Sequence, residues 1–236
     1  MKPVIITLSG VAHSGKDTTA DYLVNKLNKL GINSIKLGLA NQLKIISQKL
    51  IQLFYGVDIP IDEFHNMEKK ELIRPELPIF DGNPFKLRTV LQKIGTEVFR
   101  DSLWNSIWCD YISHNLKEKF SEYQVIIISD CRFPDEINYF KNLESSGQIS
   151  SFISFKITRP TPKENSMSEE NKAHASEAHI STMKVDYNII NNANLKCLYR
   201  YLDKITIPII RSQMVVRESK KLKTTWEVPE WLSMTR

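Results

Sequence analysis

The residues best equipped for chemistry are Gly10-Val-Ala-His-Ser-Gly-Lys16-Asp17-Thr18. A Gly-x-x-x-x-Gly-Lys run between an apolar strand-like stretch and an amphipathic helical one is built to hold phosphate. Its glycines let the backbone curl until N–H groups surround an anion. The helix start adds positive dipole, and Lys16 adds a full charge for the outer phosphates of a nucleoside triphosphate. Gly10, Ala12, His13, Ser14, Gly15, Lys16, Asp17 and Thr18 are therefore the expected residues for the phosphates of a nucleoside triphosphate. The hydroxyl residue that usually follows the lysine is replaced by Asp17, with Thr18 one later. That shift points to Mg²⁺ held through water, partly by Thr18 or Asp17.

Further polar residues are spaced for the same kind of work. Asp130 closes the β-branched run Val125–Ser129, from which a carboxylate can orient Mg²⁺ or its water. Its structural alternative is a cap or turn residue for a helix starting near Pro134. Arg132, two residues on, faces the crevice at the carboxyl ends of the strands. Arg88, Gln92, Thr96 and Arg100 recur every four residues, opposite an apolar stripe of Leu87, Val90, Leu91, Ile94 and Val98. A solvated face explains many such patterns, but Gln and Thr are unusual choices for one. Gly95 costs roughly 1 kcal/mol in a helix interior, which implies that something packs closely against it. Forked arginines and an amide can hold a phosphate and read a base edge. Arg159 ends another β-rich run and either reaches a phosphoryl group in transfer or is an exposed strand-end arginine. Lys16, Arg132, Arg159 and Asp130 are the expected catalytic residues. His174 and His179 are five apart with no cysteine beside them, a poor spacing for zinc.

These residues need rigid elements to position them. Pro3–Ser9, Ser34–Leu37, Val125–Ser129, Ser151–Thr158 and Val185–Ile190 read as strands. Between them lie helical stretches marked by Ala20, Leu23, Val24, Leu27 and Leu30; by Leu43, Ile46, Leu50 and Ile51; and by Ile107, Trp108, Tyr111 and Ile112. Alternation of this kind predicts βαβ units and a three-layer α/β domain around a mostly parallel, five-stranded sheet. One domain over 1–236 is expected. Tyr55–Lys86, with four prolines, reads as an irregular insertion, Pro160–Ala175 as a lid, and 211–236 as a C-terminal extension carrying Trp226 and Trp231.

Composition narrows the class. The chain has 236 residues, 42% of them apolar and 25% charged, near globular averages and against global disorder. No apolar run approaches the roughly 20 residues of a membrane helix, and the N-terminal apolar patch runs into the glycine loop without a cleavage site. Cys109, Cys131 and Cys197 form no C-x-x-C pair and leave one over, so a reducing, cytoplasmic location is the simplest reading. The net charge of +5 comes with no run of five or six basic residues. Cations for phosphorylated ligands explain it without nucleic acid or membrane.

At Gly10–Thr18, Gly38–Lys44, Arg88–Glu97 with Arg100, Trp108, Ser129–Glu136 and His174–Glu177 the sequence resembles the phage-type deoxynucleoside monophosphate kinases, within the P-loop nucleoside monophosphate kinase group. The resemblance implies ATP as donor, a deoxynucleoside monophosphate (dNMP) as acceptor, and Mg²⁺. It places the acceptor in the Tyr55–Lys86 insertion, expected to shape base choice, and among Lys44, Arg88, Gln92, Thr96, Arg100, Trp108 and Glu136, the metal near Thr18, Asp17 and Asp130, and a lid near Arg159. It also implies a sheet ordered as in adenylate kinase, and allows a homodimer. An acceptor phosphate is already a nucleophile at neutral pH, so catalysis needs positioning and charge stabilisation rather than a general base. Two alternatives stay open: a P-loop kinase of another small acceptor, of the phosphomevalonate or dephospho-coenzyme A type, and a non-catalytic nucleotide-binding module.

Overall fold

The computed structural model describes residues 2–78, 84–160, 179–180 and 182–214. Five strands, β1 (Val4–Ser9), β2 (Ser34–Leu37), β3 (Val125–Cys131), β4 (Ser151–Thr158) and β5 (Tyr187–Ile190), pair in the order β2-β3-β1-β4-β5, every pair parallel. Parallel neighbours require crossovers, and helices supply them. These are α1 (Lys16–Lys29), α2 (Ala40–Tyr55), α3 (Leu87–Gln92), α4 (Ile107–Leu116), α5 (Pro134–Ser145) and α6 (Leu195–Tyr201).

Side-chain alternation along the central strand builds the layers. All six residues of β1 are buried. Val4, Ile6 and Leu8 point to one face, against Ala20, Leu23 and Leu27 of α1 and Leu198 of α6. Ile5 points to the other, with Leu39, Leu43, Trp108, Ile112 and Phe140. A strand covered on both faces reads as a continuous apolar run, and β3 repeats the device with Ile126 and Ile128 on one side and Val125 and Ile127 on the other. The expected α/β three-layer fold with its five-stranded sheet is the fold observed.

Several local expectations change. The Arg88–Arg100 stretch is not one uniform α-helix: α3 ends at Gln92 and an eleven-residue π-helical segment, Lys93–Leu103, continues it. The wider i→i+5 turn still keeps residues four and five apart on one side. Gly95 has the close neighbour its presence implied, since a Cβ there would lie 2.3 Å from Leu43 Cδ2. β5 begins two residues later than expected. Asp186 instead uses its carboxylate to accept from the Ser154 backbone N–H at 2.8 Å and the Ser154 hydroxyl at 2.7 Å.

The Tyr55–Lys86 stretch contains two short 3₁₀ turns, Ile61–Phe64 and Lys69–Glu71, and a small core of its own. Ile59, Phe64, Leu77 and Phe85 pack there with Ile51 of α2 and Leu87 and Val90 of α3. The expected lid beyond residue 160, with His174 and Glu177, and the tail with Trp226 and Trp231 lie outside the described residues. Cys109 and Cys131 are buried thiols and Cys197 an exposed one. No helix among the described residues is long and apolar enough to cross a membrane.

Phe64 is fully buried in the insertion's core. Phe64→Ala is expected to cost about 3 kcal/mol of unfolding free energy, read as a lower denaturant midpoint with an unchanged slope. An unchanged midpoint would mean that the insertion does not fold against α2 and α3.

Candidate functional site

The Gly10–Gly15 loop leaves the carboxyl end of β1 and enters α1. It bends through positive φ at Gly10 (149°), His13 (61°) and Gly15 (104°). At Gly10 a side chain is excluded twice over, because a Cβ would meet the Ile157 carbonyl oxygen at 2.4 Å and its φ is one that L residues rarely adopt. Lys16 is 7% exposed, and its ammonium donates to the carbonyls of Gly10 at 2.6 Å and Val11 at 2.7 Å. The loop is braced from the far side of the sheet. Asn191, just beyond β5, donates its side-chain amide to the Ser14 carbonyl at 2.9 Å, while its own N–H donates to Thr158 at 2.8 Å. Sequence reasoning missed Asn191, whose only signal is the Asn191-Asn192-Ala193-Asn194 run after a strand.

In front of the loop lies a cleft of about 590 Å³. It gathers most of the expected site: Ala12, His13, Lys16 and Asp17 from the loop and α1; Lys44 from α2; Arg88, Gln92, Thr96 and Arg100 from α3 and its π-helical continuation; Trp108 from α4; and Asp130, Arg132 and Glu136 from the β3–α5 corner. Gly10, Ser14 and Gly15 shape the loop without lining the cleft, and Thr18 and Arg159 do not line it either. Lys36, Asn41, His65, Met67 and Lys70 line it and were not anticipated. Three of these come from the insertion, where no periodicity marks which side chains turn inward.

The cleft crowds cations together. Lys70 is pushed down to about 8 by burial and by Arg88, Lys44 and Arg132. Burial also lowers Lys44, with Arg132 and Lys36 adding to the effect and Asp130 and Asp17 opposing it. Lys44 donates to His65 Nδ1 at 3.1 Å. His65 is lowered by burial and by Lys44 and Lys70, which favours the neutral ring. Like charges held this close at reduced hydration favour an anion between them.

Other expected ligands are engaged in holding the walls. Asp130 lies within β3 and accepts from the N–H groups of Leu39 at 2.7 Å and Ala40 at 3.0 Å. It therefore caps α2 rather than the helix at Pro134, because β2 pairs with β3 and delivers the α2 N-terminus beside it. Glu136 is buried and accepts from Arg132 N–H at 2.7 Å and Phe133 N–H at 3.1 Å, fixing the backbone that carries the Arg132 side chain. The Arg100 guanidinium stacks on Phe133 at 3.7 Å and pairs with Asp135 at 2.6 Å. Arg88 pairs through Nε with Glu71 of the insertion. Trp108 donates to the Gly95 carbonyl at 3.2 Å and packs on Phe99. Asp17 is 78% exposed on its side chain and lies 3.6 Å from Lys36, which also pairs with Asp21.

Burial raises Glu136 to about 7. A raised carboxyl holds its proton more strongly when folded, so its contribution is present below pH 4.5 and is lost as pH rises toward 7. Wild type should lose up to roughly 3 kcal/mol relative to Glu136→Gln over that window, measured by denaturation at a series of pH values. A flat difference between the two proteins would contradict it.

The sequence model of the deoxynucleotide monophosphate kinase family matches residues 61–202. A protein of Acanthamoeba polyphaga mimivirus, provisionally named a deoxynucleotide monophosphate kinase, is 27% identical over 210 residues, covering 83% of this chain and 92% of the viral protein. Among solved structures, the APS kinase CysC of Mycobacterium tuberculosis, in complex with AMPPNP and APS, aligns at 12% identity with a TM-score of 0.42, over 85% of this chain and 95% of that one. A gluconokinase from Sinorhizobium meliloti 1021 aligns at 11% identity with a TM-score of 0.41, over 94% and 97%. The family match begins downstream of the glycine loop and takes in the insertion, Arg88–Arg100 and the β3–α5 corner, so loop and match are independent observations. Because that match spans more than half of its length, the chain belongs to the deoxynucleotide monophosphate kinase family.

Proposed function

We propose that the protein transfers the γ-phosphoryl group of ATP to a deoxynucleoside monophosphate, giving ADP and the deoxynucleoside diphosphate. The observation that carries this reading is the single cleft shared by the phosphate-loop lysine, Lys16, and a second set of cations, Lys44, Arg88, Arg100 and Arg132. Two polyanions that must react repel each other, and a wall of fixed cations between and around them lowers that barrier without reorganisation. An acceptor phosphate oxygen attacks the γ-phosphorus, and the bond to the β,γ-bridging oxygen breaks to release ADP.

Lys16 would exchange its two carbonyl contacts for oxygens of the donor phosphates. Arg132, on a backbone fixed by Glu136, is assigned to the charge that develops on the transferring group. Arg88 and Lys44 hold the acceptor phosphate, while Gln92, Thr96 and Trp108 border the nucleoside. Arg100 keeps the π-helical wall against α5 through Phe133 and Asp135. Asp17 and Asp130, which line the cleft, offer hard oxygen donors that would hold Mg²⁺ carried in on the phosphates through water, whereas Thr18 does not line it. Among the described residues no group of three or more His, Cys, Asp or Glu is placed to hold a metal ion by itself. When bound, the ion would neutralise phosphate charge.

The test is ADP release with ATP and Mg²⁺ over the common dNMPs and NMPs, beside a blank without acceptor. Release should depend on particular deoxynucleotides, and Lys16→Met should lower kcat by at least about a hundredfold with an unchanged melting temperature. Acceptor-independent release, release with a non-nucleotide acceptor only, or normal turnover by Lys16→Met would refute the assignment.

A further inference from the structure

The geometry points to the 3₁₀ turn Lys69–Glu71 as the insertion's contribution to acceptor binding: Lys70 contacts the acceptor's phosphate directly, and Glu71 positions Arg88 to hold the same group. The inference rests on the kinase reading for the identity of the ligand, and on the following contacts for the site itself.

The turn is firmly built. Asn66 Oδ1 accepts from the N–H groups of Glu68 at 2.9 Å and Lys69 at 3.0 Å, and Glu71 N–H donates to Glu68 at 3.0 Å. Glu63 pairs with both Lys69 and Arg74, and Phe64 is buried beneath. From this base Lys70 lines the cleft beside Lys44, Arg88 and Arg132. Among the described residues no carboxylate lies within ion-pairing distance of Lys70, so its own ammonium has no ion-pair partner there. Glu71, one residue on, takes the Nε edge of Arg88. A guanidinium held by Nε keeps the terminal nitrogens of its fork for a second anion. One short turn thus delivers a point charge and orients a fork. The family resemblance gave no role to either residue, and the sequence around them has no periodic signal.

Groups facing Lys70 are Lys44 from α2, His65 from the insertion, Arg88 from α3, Arg132 from the β3–α5 corner and Asp17 from α1. Burial first, and then the charges of Arg88, Lys44 and Arg132, push the Lys70 ammonium down to about 8, within reach of an assay. An anion there should bind less well above that pH.

The experiment measures KM and kcat for dAMP, dCMP, dGMP and dTMP with saturating MgATP from pH 7 to 9.5, and pyrophosphate binding by calorimetry without turnover. Lys70→Gln should raise the acceptor's KM at least tenfold while leaving kcat and the KM for ATP within about twofold. Lys70→Arg should restore the KM and remove the loss of acceptor affinity above pH 8, because arginine stays charged. Glu71→Ala should raise the acceptor's KM severalfold, and a lowered KM would instead make Glu71 a competitor of the phosphate. Wild-type turnover with Lys70→Gln at an unchanged KM would overturn the inference and leave the kinase reading standing. No turnover of any dNMP by wild type would overturn the kinase reading. Pyrophosphate binding then still decides the site, weakened tenfold by Lys70→Gln if the inference holds and unchanged if it does not.

Discussion

Holding several positive charges in one half-buried cleft is the constraint on which the rest of the structure depends. Cations at these separations repel, and partial burial removes the water that would screen them. The strain is visible at Lys44, Lys70 and His65, all lowered from their ordinary values with burial as the first cause. Such a cluster persists only if each member is fixed by something other than its neighbours. Here that is backbone. Asp130 ties the α2 N-terminus, Glu136 ties the peptide that carries Arg132, and Asn191 braces the Ser14 carbonyl of the phosphate loop. Their geometry is set before any ligand arrives, which is the condition for electrostatic catalysis.

The parallel sheet makes this arrangement economical. All its strands run the same way, so the phosphate loop after β1, the α2 start after β2 and the β3–α5 corner open at one edge. The insertion and the π-helical segment close the opposite wall. Glu71 to Arg88, and Arg100 to Asp135 with Phe133, are the cross-links that keep that wall in place. A π-helical stretch at this wall is consistent with the use of such irregularities near functional sites.

Much of this was legible in the residues alone. Continuous β-branched runs reveal strands covered on both faces, and the glycine loop between strand and helix reveals where phosphate goes. Gly95 announced a close neighbour, which is Leu43. What escaped sequence reading depends on tertiary neighbours. Asp130 reads as a metal or turn residue until β2 is known to lie beside β3. Glu136 reaches back to the Phe133 N–H as in a capping box, but Phe133 has no side-chain acceptor to return the bond, so the Ser/Thr-x-x-Glu pattern does not declare itself. Lys70 and His65 sit in a stretch with neither a 2.0 nor a 3.6 period, and only its small core of Phe64, Ile59, Leu77 and Phe85 turns them inward. The change from α to π hydrogen bonding at Lys93 leaves no compositional trace.

The central claim is that a phosphate ester relieves the repulsion among the half-buried cations of the cleft, Lys70 above all. The direct measurement is proton exchange on binding, from calorimetry of the common dNMPs in buffers of different ionisation enthalpy at pH 8.5. A group lowered to about 8 is largely deprotonated there, and an incoming dianion raises its affinity for a proton. Net uptake of a substantial fraction of a proton per site is the expected result, shrinking toward zero near pH 7. Zero uptake at pH 8.5, or proton release, would show that the lysines of the cleft do not meet the phosphate, and the account would fail at its centre.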